Sequence, residues 1–247
     1  MRESKIELRL GDWREVLADL DEVDTLIADP PFSAKTHRGR RTGSEIRQSE
    51  IGYPEITRGG AQEIIDFWAP RVKRWIVLFG DHTTARWFRS DAERNGLYVF
   101  QPIPWVKPDC APRMSGDGPA SACEHITVLL ADEDELPTEW ITVARAKSRA
   151  GMLGSVPGYY EHRTASTRGH GGQKAYPGQK PLGLIRALVR NYSKPGDLIV
   201  DICAGTGTTL LAARAEGRNC VGAEIDPETF ARASERIATP HTMELFG

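Results

Sequence analysis

The sequence predicts an α/β protein built on one doubly wound, mostly parallel sheet with helices on both faces. Short apolar runs of strand length alternate along the 247 residues with stretches whose apolar positions recur at helical spacing. Two of these strands empty directly into turns made of acid, proline and glycine, Asp29-Pro30-Pro31-Phe32 and Gly205-Thr206-Gly207. Open α/β sheets carry their sites at such strand ends. A third strand ends in an acid, Glu224, about 20 residues beyond the glycines, the spacing at which a carboxylate reaches ribose hydroxyls. There is no internal repeat, so one domain over residues 1–247 is the economical reading.

Each element follows from local pattern. Gly11-Asp12 precedes the apolar pair Val16-Leu17, and Asp24 to Ala28 reads as a strand that stops at Asp29. From Gln62 to Val72, the residues Ile64, Ile65, Trp68 and Val72 share one helical face. Trp75 to Phe79 is a buried strand ended by Gly80-Asp81-His82, and Thr84 to Glu93 is a helix. Leu97–Trp105 and His125–Ala131 are further strands. No periodicity is evident from Arg145 to Tyr176, which reads as a long, adaptable loop. Leu182, Ile185, Leu188, Val189 and Tyr192 repeat at helical spacing until Pro195-Gly196 stops the helix. A strand through Val200, a helix over Leu210–Ala215, a strand from Cys220 and a last helix lined by Phe230, Ala233 and Ile237 complete the order.

The formal net charge of −2 excludes a uniformly basic nucleic-acid binder and leaves room for a local basic face. No apolar run is long enough to span a membrane and no leader precedes the first strand, so a cytoplasmic protein without membrane contact is expected. Cys110, Cys123, Cys203 and Cys220 have no close paired spacing and no clustered histidines, which argues against a disulfide framework and against a metal site.

The chemistry lies in the two turns. An ionised Asp29 only accepts hydrogen bonds, and so does the carbonyl of a proline, which has no N–H of its own. Together they suit the two hydrogens of an exocyclic amino group. Phe32 offers a ring face for an unstacked base, a contact worth roughly 1–3 kcal/mol. A strand ending in a plain proline turn explains the same residues less fully. Downstream, the Asp201 strand enters a glycine-rich turn and a helix start, where backbone N–H groups approach a ligand closely. The dinucleotide fingerprint is only partly met, because Leu210 stands where its third glycine belongs. Asp201 would repel a pyrophosphate and suits a cationic or amino-acid ligand.

The two motifs together resemble the amino-directed DNA methyltransferases that use S-adenosylmethionine, in the β-ordered branch whose catalytic motif precedes its cofactor loop. The resemblance runs from about Leu10 to Ile237 and implies a Rossmann-like methyltransferase sheet. It implies catalytic roles for Asp29, Pro30, Pro31 and Phe32, in the adenine-N6 form of the tetrad. It implies S-adenosyl-L-methionine contacts from Asp12, Lys180, Pro181, Asp201, Cys203, Ala204, Gly205, Gly207, Thr208 and Glu224. Three positions depart from the pattern: Phe32 replaces the commoner Tyr, Ile202-Cys203 stands where Pro and an aromatic are frequent, and Tyr176 stands where His often precedes the proline. The implied function is site-directed transfer of a methyl group to adenine N6 in double-stranded DNA, with the base flipped out and with a cognate restriction endonuclease or a homodimer as compatible partners. Cytosine N4 and adenine in RNA stay open as acceptors. A nicotinamide oxidoreductase is the alternative from another class, and it leaves the tetrad unexplained.

Cations cluster beside these motifs. Between Ser33 and Arg47, Lys35, Arg38, Arg40, Arg41 and Arg47 stand against a single acid, Glu45, within a basic loop at about 33–60 that starts right after Phe32. Arg149, Arg163 and Arg168 belong to a second basic, glycine-rich stretch inside an insertion at about 132–176, where the resemblance implies target recognition. A solvated loop explains either run; cations beside a base pocket would also neutralise flanking phosphates. His125 reads as a hydrogen-bonded, partly buried residue, and Trp105 as a pocket wall or core aromatic. Cys203, which follows Ile202 inside the cofactor loop, does not read as a nucleophile.

Overall fold

The structure, a computed structural model, describes residues 4–34, 55–110, 120, 122–131, 158–165, 176 and 178–239. Their strands are β1 (Ile6–Leu10), β2 (Val23–Ala28), β3 (Val72–Gly80), β4 (Tyr98–Val99), β5 (Ile103–Val106), β6 (Cys123–Leu130), β7 (Tyr160–Glu161), β8 (Leu198–Asp201) and β9 (Asn219–Glu224). They form one sheet of 9 strands in the order β1-β9-β8-β2-β3-β6-β5-β7, with β4 also on β6. Every pairing is parallel except those of β6, which runs antiparallel to β3, β4 and β5. The doubly wound, mostly parallel α/β reading holds.

Side chains alternate between the faces, as strand geometry demands. Leu26, Ile76, Leu78, Val200 and Val221 pack with Ile64, Ile65 and Trp68 of α2 (Arg58–Trp68) and Phe88 of α3 (His82–Arg94). Ile27, Trp75, Val77 and Ile199 pack on the other face with Leu184, Leu188 and Tyr192 of α4 (Leu182–Tyr192) and Leu210 of α5 (Thr208–Ala215). A short α1 (Trp13–Val16) follows β1, and α6 (Pro227–Ala238) sends Ile237 against the second cluster. Burying a side chain such as Leu188 stabilises by roughly 1.5–3 kcal/mol, so each face is a substantial core.

The strand order reverses between β8 and β2. From β8 the chain winds through α5 to β9, and from β2 it winds the other way through α2 to β3. That switch point opens a crevice between the turns that follow β8 and β2, the two turns carrying Gly205-Thr206-Gly207 and Asp29-Pro30-Pro31-Phe32.

Three local expectations are corrected. The helix read over Gln62–Val72 starts at Arg58, where Thr57 Oγ1 accepts from Gly60 N at 3.0 Å, and ends at Trp68. Val72 keeps the same apolar cluster but belongs to β3. The run Leu97–Trp105 is two strands, β4 and β5, with Pro102 between them; its ring removes the N–H a continuous ladder needs. Within the stretch read as loop from Arg145 to Tyr176, Tyr160 lies beside Trp105 in the sheet and is 4% exposed, its hydroxyl accepting from Asn191 Nδ2 at 2.7 Å.

Candidate active site

The tetrad is held from three sides. Asp29 follows β2, whose last residue, Ala28, is paired with Leu78 of β3. Beyond Phe32, Ser33 donates from its N and its Oγ to Asp81 Oδ2, at 3.2 and 2.5 Å. The other oxygen of Asp81 caps α3, accepting from Thr83 N and Thr84 N at 2.9 and 2.8 Å. Ile56 N donates to the Phe32 carbonyl at 3.2 Å, so the chain entering α2 closes over the tetrad. One carboxylate thus ties the tetrad to the end of β3.

The glycine turn is shaped by backbone requirements. Gly205 and Gly207 have φ of +51° and +75°, the left-handed region that glycine enters without steric cost. Glu224 fastens the turn to β9: Oε2 accepts from Gly205 N at 2.8 Å and Oε1 from Asp226 N at 2.9 Å. Burial raises the Glu224 carboxyl above its ordinary value while those amides pull it back. Asp201 is 2% exposed, and burial pushes its carboxyl up to about 7. Its Oδ1 accepts from Cys203 N at 3.0 Å. The Cys203 thiol is driven well above the ordinary range by burial and by the carboxylates of Asp201, Glu224 and Asp29, so it stays protonated and is no nucleophile.

Both turns open into one cavity of about 370 Å³. Its lining takes in Asp29, Pro30, Pro31 and Phe32, together with Asp12, Lys180, Asp201, Cys203, Ala204, Gly205, Thr208 and Glu224. Pro181 and Gly207 do not line it; they are the residues that start α4 and α5. Asp12 has a second task, since its side chain accepts from Arg14 N and caps α1, while Arg14 bridges it to Glu63. Arg163 is exposed and lies outside the lining. Lys35, Arg38, Arg40, Arg41, Arg149 and Arg168 lie outside the described residues.

Sequence reasoning missed a charged cluster at the tetrad. Lys180, grouped by sequence with the cofactor contacts, places its ammonium 2.6 Å from Asp29 Oδ2 and 3.1 Å from Glu124 Oε2. Lys107 Nζ lies 2.9 Å from Glu124 Oε1. The signal was the reversal of β6, which brings the beginning of that strand, and so Glu124, to the edge where the parallel strands end. Also unforeseen is Arg236 of α6, which donates to Thr206 O, Thr206 Oγ1 and Thr208 Oγ1 at 2.8, 3.1 and 3.0 Å behind the glycine turn.

The chain is similar to known proteins in sequence and in fold. The chain is 28% identical to Type II methyltransferase M.SmaI of Serratia marcescens over 149 residues, 59% of this chain and 48% of that protein. It is 29% identical to Type II methyltransferase M.XycI of Xanthomonas campestris pv. cyanopsidis over 143 residues, 58% of this chain and 45% of that protein. The chain therefore spans about half the length of the curated relatives it matches. In fold it is similar to the M1.HpyAVI–SAM complex, with a TM-score of 0.63 at 21% identity over 94% of this chain and 99% of that one. It is similar also to PvuII DNA methyltransferase (cytosine-N4-specific), with a TM-score of 0.67 at 18% identity over 98% of this chain and 92% of that one. Residues 23–235, from the tetrad's own strand to the last helix, match a family model described as DNA methylase, and the chain belongs to this N6/N4 DNA methylase family.

Proposed function

We propose that the protein transfers a methyl group from S-adenosyl-L-methionine to adenine N6 in double-stranded DNA. The observation that carries the reading is the shared cavity, in which Asp29 and Pro30 stand across from the glycine turn and the acids Asp201 and Glu224. The donor set fits the cofactor. Glu224 and the turn suit a ribose and its neighbourhood, Asp201 suits a cation, and two left-handed glycines let the backbone come close.

Bound there, the cofactor supplies an electrophilic methyl group on a sulfonium. The chain's own task is to make a poor nucleophile better. The amino lone pair of adenine is delocalised into the ring, and acceptors on both of its hydrogens favour a more tetrahedral nitrogen. Asp29 and the Pro30 carbonyl are such acceptors, and their bonds strengthen as positive charge develops on that nitrogen. Holding acceptor and donor groups in one cavity contributes proximity. Phe32 offers the stacking face that offsets part of the few kcal/mol needed to flip a base from duplex DNA.

Asp29→Ala is expected to leave S-adenosylmethionine binding nearly intact and to slow transfer by at least about 10²–10³-fold, by comparison with single oxyanion-hole donors. Calorimetry gives the first quantity, and nucleoside digestion with mass spectrometry gives the second. The product expected from the parent enzyme is N6-methyladenine. Recovery of N4-methylcytosine instead would move the protein to the cytosine class, whose amino group presents the same two hydrogens. Full activity in Asp29→Ala would end the proposed mechanism.

A further inference from the structure

Lys180 occupies a place that neither the glycine turn nor the fold explains. Its ammonium bridges Asp29 and Glu124 and lies 5.2 Å and 5.0 Å from the ring centroids of Phe32 and Phe79. Burial alone would lower its pKa, but the two carboxylates outweigh that penalty and hold Lys180 above the ordinary lysine value. Burial likewise pushes Glu124 up, and Lys180 and Lys107 together bring it below the ordinary carboxylate value. The formal charges of Asp29, Lys180, Glu124 and Lys107 sum to zero. Buried ion pairs of this kind are often replaceable by apolar side chains at no loss of stability. A second cation is also a poor neighbour for a sulfonium, and a neutral base is a good one.

We propose that Lys180 is the second base-reading group of the site: as Asp29 accepts from the exocyclic amino group, Lys180 donates to the ring nitrogen beside it, and Glu124 positions Lys180 for that bond. The inference rests on the reading of the protein as an amino-directed methyltransferase. Adenine offers N6–H next to the acceptor N1, and cytosine offers N4–H next to the acceptor N3. Thymine and guanine present the reverse order there, a carbonyl oxygen next to a ring N–H. The adjacent acceptor and donor at Asp29 and Lys180 therefore match the two bases that carry such an edge and mismatch the others. Glu124 has a second effect. Its charge offsets the ammonium, so positive charge growing on the amino nitrogen does not meet an uncompensated cation.

The test is single-turnover transfer to DNA holding either the natural base or an analogue with C–H in place of the ring nitrogen. That analogue is 1-deazaadenine, or 3-deazacytosine if N4-methylcytosine is the parent's product. The parent should be slower on the analogue by about 10- to 100-fold, the worth of a hydrogen bond from a charged donor. Lys180→Met should lose a comparable factor on the natural base and show no further loss on the analogue. Lys180→Arg, which keeps charge and donors, should retain the parent's discrimination in part. Glu124→Gln should reduce it, with S-adenosylhomocysteine affinity unchanged by calorimetry in all three variants.

A parent indifferent to the analogue overturns the proposal by itself, even if a variant fails to fold. So does a Lys180→Met enzyme that keeps the full analogue penalty, or one whose defect is in S-adenosylhomocysteine affinity instead. A parent that methylates no DNA at all overturns the functional reading and this proposal together, a result distinct from transfer without analogue sensitivity.

Discussion

Asp201 shows how much one buried carboxyl decides. It ends β8 at the rim of the cavity with both Asp29 and Glu224 near enough to oppose its ionisation. Burial is the largest influence, hydrogen bonds from Thr209 and Cys203 N work against it, and the outcome is a carboxyl near 7. A carboxyl raised on folding contributes stability while it is protonated, and that contribution is lost as pH rises from the ordinary carboxylate range through about 7. A cationic ligand reverses the preference, because it interacts favourably with the ionised form. Affinity for S-adenosylhomocysteine, whose amino group is cationic, is therefore expected to rise by about tenfold or more from about pH 5.5 to about pH 8 and then level off. Asp201→Asn should flatten that rise and bind like the parent at the acid end. Calorimetry across the range checks both, and an equally steep rise in the variant would remove Asp201 from the cofactor's cation.

At the level of elements, the site depends on helices that do not touch the reacting groups. Arg236 is the example. It reaches from the last turns of α6 to three oxygens of Thr206 and Thr208, and burial lowers its pKa without displacing its charge. Removing the guanidinium leaves those oxygens without their donor and lets the glycine turn relax, while Asp29 and Phe32 stay where β2 and Asp81 hold them. Arg236→Met is thus expected to raise the KM for S-adenosylmethionine by about tenfold, with kcat changed much less. Steady-state kinetics at varied cofactor concentration decides, and a defect confined to kcat would place Arg236 elsewhere in the mechanism. The elements that sequence made legible were those with long, strongly periodic patterns, such as α4, α5, β3 and the strands leading to Asp29 and Glu224. Those it did not make legible were short or broken. A strand of two residues such as β7 has no period to detect, and Pro102 divides a run that composition alone presents as one strand. The charged cluster was hidden for another reason: Lys107, Glu124 and Lys180 are far apart in sequence, and only the antiparallel register of Trp105 on Glu124 brings the end of β5 and the start of β6 to the tetrad. The sequence neighbour of Glu124, His125, pairs with Gly80 and Pro104 in the sheet and is partly buried.

For the whole molecule, the topology sets the place of the site and the charge distribution sets how DNA would reach it. Winding in opposite directions from β8 and from β2 leaves a crevice at the switch point, and the chain fills its two banks with the glycine turn and the tetrad. A net charge of −2 gives the protein no general attraction for a polyanion. Any affinity for duplex DNA must then come from local cations, and the densest run, Lys35, Arg38, Arg40 and Arg41, starts three residues after Phe32 in the sequence. Each phosphate neutralised by such a residue releases a counterion, contributing about 0.9 to the negative slope of log affinity against log salt. Neutralising Arg38, Arg40 and Arg41 together should weaken DNA binding and lower that slope by up to about 2.7 if all three meet phosphates. Cofactor affinity should not change, since the glycine turn, Asp201 and Glu224 are untouched. Fluorescence anisotropy with a labelled duplex over a salt series measures the slope, and calorimetry with S-adenosylhomocysteine measures the control. A slope equal to the parent's would mean that these arginines are solvated and meet no phosphate.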